Sequence, residues 1–256
     1  MEKQIQKQLL AYLVRHDFIS TDQSAFIRNH STQTSLHKVI DDWLHNVNDG
    51  LITGVCSLDL QKCFDSINHN TLITKLRKYG IKGAECSWFK SYLNGRTQQV
   101  KYNDEMSTPC NVSIGVPQGS VIGPILFILY VNDIMQYITE GCCNLFADDT
   151  LLYTTASTID EVQTRLQKDV NSVEQWFNGN KLSANPRKSC TLLVDPTTRQ
   201  REGCNHPKLN ISMYGQPIDP VHSFKYLGVI IDSDLKWHDH LIYLQKNVSS
   251  KLATLR

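Results

Sequence analysis

A surplus of charge is almost wholly lacking: 26 Lys and Arg meet 25 Asp and Glu along 256 residues, a formal net charge of +1. So even a balance excludes function through bulk electrostatics, and any footprint for a nucleic acid must be local. Long apolar runs are lacking too. The longest, "SVIGPILFILYV" at residues 120–131, falls short of the roughly 18 to 20 residues of a membrane-spanning helix and reads as a buried helix. "MEKQIQKQLLAYLVRHDFIS" reads as a packed helix and not as a signal peptide, since Ile5, Leu9, Tyr12 and Leu13 recur at helical spacing instead of forming a continuous apolar core. The 8 cysteines, Cys56, Cys63, Cys86, Cys110, Cys142, Cys143, Cys190 and Cys204, show no CxxC spacing and no paired histidines. That excludes a zinc site or a disulfide framework and suggests reduced thiols in the cytosol or nucleus, with no secretion and no membrane partner. No internal repeat or low-complexity linker divides the chain.

What is present is enough apolar residue, 41%, to build a substantial core in one large domain or two smaller ones. "LITGVCSLDL" (51–60) reads as a strand ending on Asp59, and "NTLITKLRKYG" as a helix carrying Leu72, Leu76 and Tyr79 that stops at Gly80. "TQQVKYN" and "CNVSI" read as two short strands. The Gly/Pro-rich "GVPQGSVIGP" then opens a helix over Ile125 to Tyr130, and "CCNLFADDTLLY" reads as a hairpin with two aspartates at its bend. "STIDEVQTRLQKDVNSVEQWFNG" predicts a long helix with a Thr158–Glu161 capping box and an end near Gly179. "SCTLLV", "LNISMYG", "QPI" and "FKYLGVIID" follow as strands, then an amphipathic stretch from His238. The alternation lacks a regular βα rhythm, which points to an α+β fold around a mainly antiparallel sheet.

The chemistry concentrates in "NLFADDTLLY" (144–153). Successive side chains of a strand face opposite ways, so Asp148 and Asp149 serve one site only if the backbone bends there. Two carboxylates among Leu145, Phe146, Leu151 and Leu152 repel one another and are costly to desolvate unless a cation lies between them. A hard divalent ion suits such oxygen ligands, and Asp59 at the end of another strand would complete a two-metal site for phosphoryl or nucleotidyl transfer. The plainer alternative makes Asp148 and Asp149 turn formers and Asp59 a helix cap.

Read together, "GVCSLDLQKCFDSINH", "GVPQGSVIGPILFILYVND", "NLFADDTLLY", "KLSANPRKS" and "FKYLGVIID" resemble, in order and approximate spacing, the characteristic blocks of reverse transcriptases, those of non-LTR (LINE-like, Jockey-type) retrotransposons above all. "QSAFIRNHSTQTSL", "WFKSYLNGRTQQV" and "DLKWHDHL" resemble the segments around those blocks, so the likeness covers almost the whole chain. It implies an α+β right-hand polymerase fold: a palm with a mainly antiparallel sheet packed on helices, partial fingers and a truncated thumb. Residues 1–232 would be fingers and palm, and 233–256 the start of the thumb.

The resemblance further implies an RNA-directed DNA polymerase, transferring dNTPs to the 3′-hydroxyl of a DNA primer on an RNA template. Asp59, Asp148 and Asp149 match the catalytic aspartates. Two Mg2+ ions, with Mn2+ as a substitute, would be held by them and by the backbone carbonyl of Leu60. Phe64 matches an aromatic beneath the sugar of the incoming nucleotide, where it would reject a 2′-hydroxyl; otherwise it is a core residue. Gln118 and Gly119 match the loop lining the nucleotide pocket, against a reading as a helix-opening turn. Lys188 matches a lysine that protonates pyrophosphate, against a solvated lysine. Arg28 and Arg96 are candidates for triphosphate or backbone phosphate, although Arg28 in "AFIR" stands one position later than the "GFR" of many relatives. Tyr226, Leu227 and Gly228 match the turn that holds the primer end, or are simply a hairpin.

Relatives carry a basic "RPIS"-like fingers segment, more thumb beyond Arg256 and an upstream endonuclease. Their absence suggests a fragment whose partners include those regions of a parent polyprotein. The alternatives are a degenerate, catalytically inactive domain retaining only nucleic-acid binding and, from another class, a two-metal phosphohydrolase, which would need more acidic or histidine ligands.

Overall fold

The computed structural model describes residues 1–197 and 207–254; Cys204 and Arg256, both named above, lie outside them. Helix α1 (Glu2–Arg15) buries Leu9 and Leu13 from the stripe seen in the sequence. Helix α2 (Thr32–Asn48) starts at a reciprocal Ser31–Thr34 capping box and buries Ser35, Val39 and Trp43, one turn apart. Strand β1 (Ile52–Asp59) leads to α3 (His69–Lys78), whose first turn is capped by Asn68 accepting from the Thr71 N–H at 3.1 Å, and then to α4 (Gly83–Leu93).

The next stretch differs from expectation. In place of two strands there are four of two residues each: β2 (Thr97–Gln98) pairs with β5 (Cys110–Asn111), and β3 (Lys101–Tyr102) with β4 (Glu105–Met106). Side chains interrupt the ladder, since the Val100 N–H donates to Ser107 Oγ and Gln99 Nε2 to the Ser107 carbonyl, both at 2.9 Å.

Helix α5 (Gly123–Val131) is buried almost throughout, which explains its continuous apolar run. After a 3-10 turn (Asn132–Tyr137), β6 (Cys142–Phe146) and β7 (Asp149–Ala156) form the expected hairpin. Helix α6 (Ile159–Gly179) matches its predicted span, with one correction to its start. Thr158 Oγ1 accepts from the Glu161 N–H, but the Glu161 carboxylate turns away to Arg165 one helical turn on, so half the capping box is made. The remaining strands are β8 (Cys190–Val194), β9 (Ser212–Met213), β10 (Gln216–Pro217), β11 (Asp219–Pro220), β12 (Ser223–Tyr226) and β13 (Val229–Asp232), followed by α7 (His238–Thr254). "FKYLGVIID" is thus a hairpin: Leu227 and Gly228 both take positive φ, 46° and 91°, the signature of a two-residue I′ turn.

One five-stranded sheet, ordered β11-β8-β1-β7-β6, organises the molecule, antiparallel except where β11 joins β8. Alternation along β1 and β7 divides the core. Cys56, Leu58 and Leu152 face a cluster built with α5 and α6, while Val55, Leu151 and Tyr153 face α2 and the β12–β13 hairpin. Helix α6 can settle onto β1 because of Gly54, where a Cβ would stand 2.3 Å from Val162 Cγ1. Each fully buried Leu or Val of these two layers contributes about 1.5–3 kcal/mol of transfer free energy.

Candidate active site

Asp59 and Asp149 are direct cross-strand partners at the ends of β1 and β7. By the same alternation both belong to the face carrying Val55 and Leu151, and a directly opposed pair on one face brings its side chains close. Asp148 lies in the two-residue turn between Phe146 and Asp149, which opens with Ala147 at φ 55°, a left-handed conformation for a residue with a Cβ. That turn is the bend the sequence required. Asp148 and Asp149 reach solvent, Asp59 is half-buried, and the neighbouring strands still strip water from the Asp149 carboxyl. Its pKa is raised, first by that desolvation and then by the charges of Asp148 and Asp59.

The backbone of Asp59 is held from the other side. Its N–H donates to Ser189 Oγ at 3.1 Å and its carbonyl accepts from the Asn185 N–H at 2.7 Å, so the "NPRKS" turn clasps the end of β1. Leu60 bridges Ala184 through hydrogen bonds of the flanking residues, Asn185 N–H to Asp59 and Gln61 N–H to Ser183. Leu60's own carbonyl therefore points away from that turn, toward the side on which β7 and the aspartate turn lie. Lys188 is exposed on the turn, with no ion pair among the described residues.

Behind Asp59 the chain is clipped to the "GVPQGS" loop. The Val116 N–H donates to the Phe64 carbonyl at 2.9 Å, the Gly115 N–H to Ile67 at 2.8 Å, and Gln118 Nε2 to Asp65 Oδ1 at 2.9 Å. Gly115, at φ 84°, packs so closely that a Cβ would stand 2.9 Å from the Asp65 backbone. Gly119, by contrast, faces open space. Phe64 is half-buried with its ring stacked on Phe127 at 4.3 Å. Tyr226 is buried on the aspartate face; burial raises its pKa first, a side-chain contact of its hydroxyl with Ser35 opposes the rise, and the Asp149 charge adds to it.

The structure therefore gathers Asp59, Asp148, Asp149, Leu60, Tyr226 and the turns bearing Lys188 and Gln118. It does not tie the two arginines to them. Arg28 is exposed on the loop after Ser24, and Arg96 lies over the Tyr92 ring, 5.5 Å away, beyond α4.

A metal is the natural complement to three acids, and the donor set fits a hard cation. Among the described residues, however, no three His, Cys, Asp or Glu side chains are gathered closely enough to enclose an ion. A bound cation would take its remaining oxygens from backbone carbonyls, water or substrate.

Residues 1–231 match the family model described as reverse transcriptase (RNA-dependent DNA polymerase). The chain belongs to the reverse transcriptase family. Similar proteins include the RNA-directed DNA polymerase from mobile element jockey of Drosophila funebris, 27% identical over 91% of this chain and 25% of that protein. The probable RNA-directed DNA polymerase from transposon BS of Drosophila melanogaster is 26% identical over 100% of this chain and 28% of its own length. The chain thus spans about a quarter of these relatives. In fold it is similar to apo telomerase from Candida Tropicalis truncated from the C-terminal domain (TM-score 0.60, 16% identity, 92% of this chain and 44% of that one). It is equally similar to telomerase from Candida albicans in complex with the TWJ fragment of telomeric RNA (0.61, 15%, 90% and 38%). The expected right-hand polymerase fold is the one observed.

Sequence reasoning missed the residues that hold this reverse transcriptase site in place. Asn185 and Ser189 lie inside a block already singled out, and an Asn-Pro turn ending in Ser is a signal for such a clasp. Cys63, buried against Asp148, was also missed; desolvation and that charge push its thiol up to about 12, so it stays protonated. Nothing in its spacing marks it.

Proposed function

We propose that this chain is the catalytic domain of an RNA-directed DNA polymerase of the non-LTR retrotransposon kind. The reading is carried by the cross-strand Asp59–Asp149 pair with Asp148 in the adjoining turn, in a chain of the reverse transcriptase family. Asp59, Asp148, Asp149 and the Leu60 carbonyl would hold two Mg2+ ions, or Mn2+. Bound there, the ions would lower the pKa of a primer 3′-hydroxyl and stabilise charge on the α-phosphate of a dNTP. The raised pKa of Asp149 reflects desolvation first and then the charges of Asp148 and Asp59, and bound cations would offset both.

The other residues take positioning roles. Phe64, braced by Phe127, would lie beneath the sugar of the dNTP, with Gln118 and Gly119 forming the open edge of its pocket. Lys188, free of any ion pair among the described residues, is the donor to departing pyrophosphate, and Arg28 a phosphate ligand farther out. The Tyr226–Gly228 turn would set the primer end against the aspartate face, and Arg96 the template backbone. In this scheme residues 1–232 are fingers and palm, and 233–256 begin the thumb.

Primer extension on poly(rA)/oligo(dT) with Mg2+ and dTTP tests the reading. Incorporation is expected, with a loss of about a thousandfold or more in Asp148→Ala. Equal incorporation by the variant would sink the assignment. A second reading, nucleic-acid binding without turnover, is favoured by the carboxylates not closing on one point. It predicts RNA binding with no extension in either metal.

A further inference from the structure

Charge on this chain balances only as a whole. Between Lys75 and Arg96 the sequence places six Lys and Arg against a single acid, Glu85, so this segment is where a local basic footprint can exist. Lys75 is spent internally on Asp133, and Arg96 belongs to the reading above. Three of the rest, Arg77, Lys82 and Lys90, line one open cavity of about 280 Å³ between the end of α3 and the side of α4, together with Gly83 and Ser87. All three are exposed, and none forms an ion pair among the described residues. Glu85, in the first turn of α4, lines a neighbouring cavity beside α1 that Lys82 also borders, and no acid lines the cavity shared by the three cations.

The ordinary explanation of surface cations covers two of these and fails for Lys82. Arg77 sits in the last turn of α3 and Lys90 in the last turn of α4, where each helix field favours a positive side chain. Lys82 is the residue preceding α4, where the field is already positive and Asp, Asn, Ser or Thr would normally cap the first turn; no side chain does so here. Lys90 adds a third like charge to the same wall. Three cations facing one cavity cost energy in the absence of an anion, and none of the residues lining this cavity is acidic. None of the lining residues comes from the aspartate strands or from the turns around them.

We infer that this cavity is a second nucleic-acid contact, a binding site for the phosphodiester backbone away from the catalytic face. Repeating phosphates fit several separated cations without sequence readout. The reading of the chain as a polymerase enters only in the choice of probe, RNA template or DNA primer.

The test is binding of a labelled single strand of about 20 nucleotides, RNA and DNA of one sequence in parallel, to the 256-residue chain in EDTA without dNTPs, across a salt series. In Arg77→Gln/Lys82→Gln/Lys90→Gln the slope of log K against log salt should become shallower by about 2, and Kd should rise about tenfold at 0.1 M salt. Exchanging the charges in kind (Arg77→Lys, Lys82→Arg, Lys90→Arg) should restore both. The arm with the larger change identifies the strand. An unchanged slope in both arms overturns the inference. Lys90→Gln alone, expected to cost about 0.7 in slope, serves if the triple variant does not fold. Because EDTA removes catalysis, failure here leaves the polymerase reading standing, and failure of extension leaves this one standing.

Discussion

The aspartates at the end of β1 and β7 and the Lys75–Asp133 pair behind α5 are both charges set in apolar surroundings, and the fold treats them in opposite ways. Lys75 Nζ donates to Asp133 Oδ1 and to the Tyr130 carbonyl, each at 2.6 Å, and lies over the rings of Tyr130 and Trp176 at 4.9 and 4.8 Å. Trp176 Nε1 donates to the same Asp133 oxygen at 3.0 Å. Every strong donor and acceptor finds its partner within the chain. At the aspartate end, like charges face one another, and none of the three carboxylates is in an ion pair among the described residues. A cluster that closes on itself holds a fold together, while one left electrostatically open is poised for something outside the chain.

The largest effect expected from breaking this contrast is at the closed cluster. Lys75→Ala leaves Asp133 without its cation and should lower stability by about 3 kcal/mol, read as a lower urea midpoint at unchanged m. Lys75→Ala combined with Asp133→Asn should recover part of the loss. Burial lowers the Lys75 pKa, with Asp133 offsetting part of that desolvation cost.

The open cluster should answer in the opposite direction. Asp149 has a raised folded pKa, so between its ordinary 3.8 and that raised value the folded state binds more protons than the unfolded. Its contribution to stability therefore falls as pH rises through that window and stays low above it. In metal-free buffer at pH 7, Asp149→Asn should raise Tm by about 1–2 °C, a small gain because the carboxylate is partly solvated, while abolishing extension. A fall in Tm would mean that the carboxylate is already compensated. Smallest of all, Tyr226→Phe should change stability by less than about 1 kcal/mol, because only a weak contact with Ser35 engages the hydroxyl it removes. A loss above about 1 kcal/mol in thermal or urea unfolding would show a hidden partner for that group.

Much of the fold was legible because its elements carry their own periodicity. Helix α6 shows its buried face at every third or fourth residue, and β1 and β7 run as apolar segments that end on aspartates. The ribbon after α4 was misread because its pairing depends on Gln99 and Ser107 side chains interrupting the ladder, which no alternation of apolar and polar residues records. At the site, the aspartates were legible as a charge conflict and as part of a family pattern. Asn185, Ser189 and Gly115 were not, because each acts on a backbone remote in sequence.

By itself, then, the sequence determined which residues carry charge, that the chain bends at the Asp148–Asp149 pair, and that the apolar run of α5 is core. Tertiary structure alone decided that Asp59 stands opposite Asp149, that Lys75 is neutralised at home, and that Arg77, Lys82 and Lys90 share one wall without an acid. The physical reason is range. Local propensity and solvent preference act along a few residues of chain, whereas charges interact through space, and only folding sets those distances.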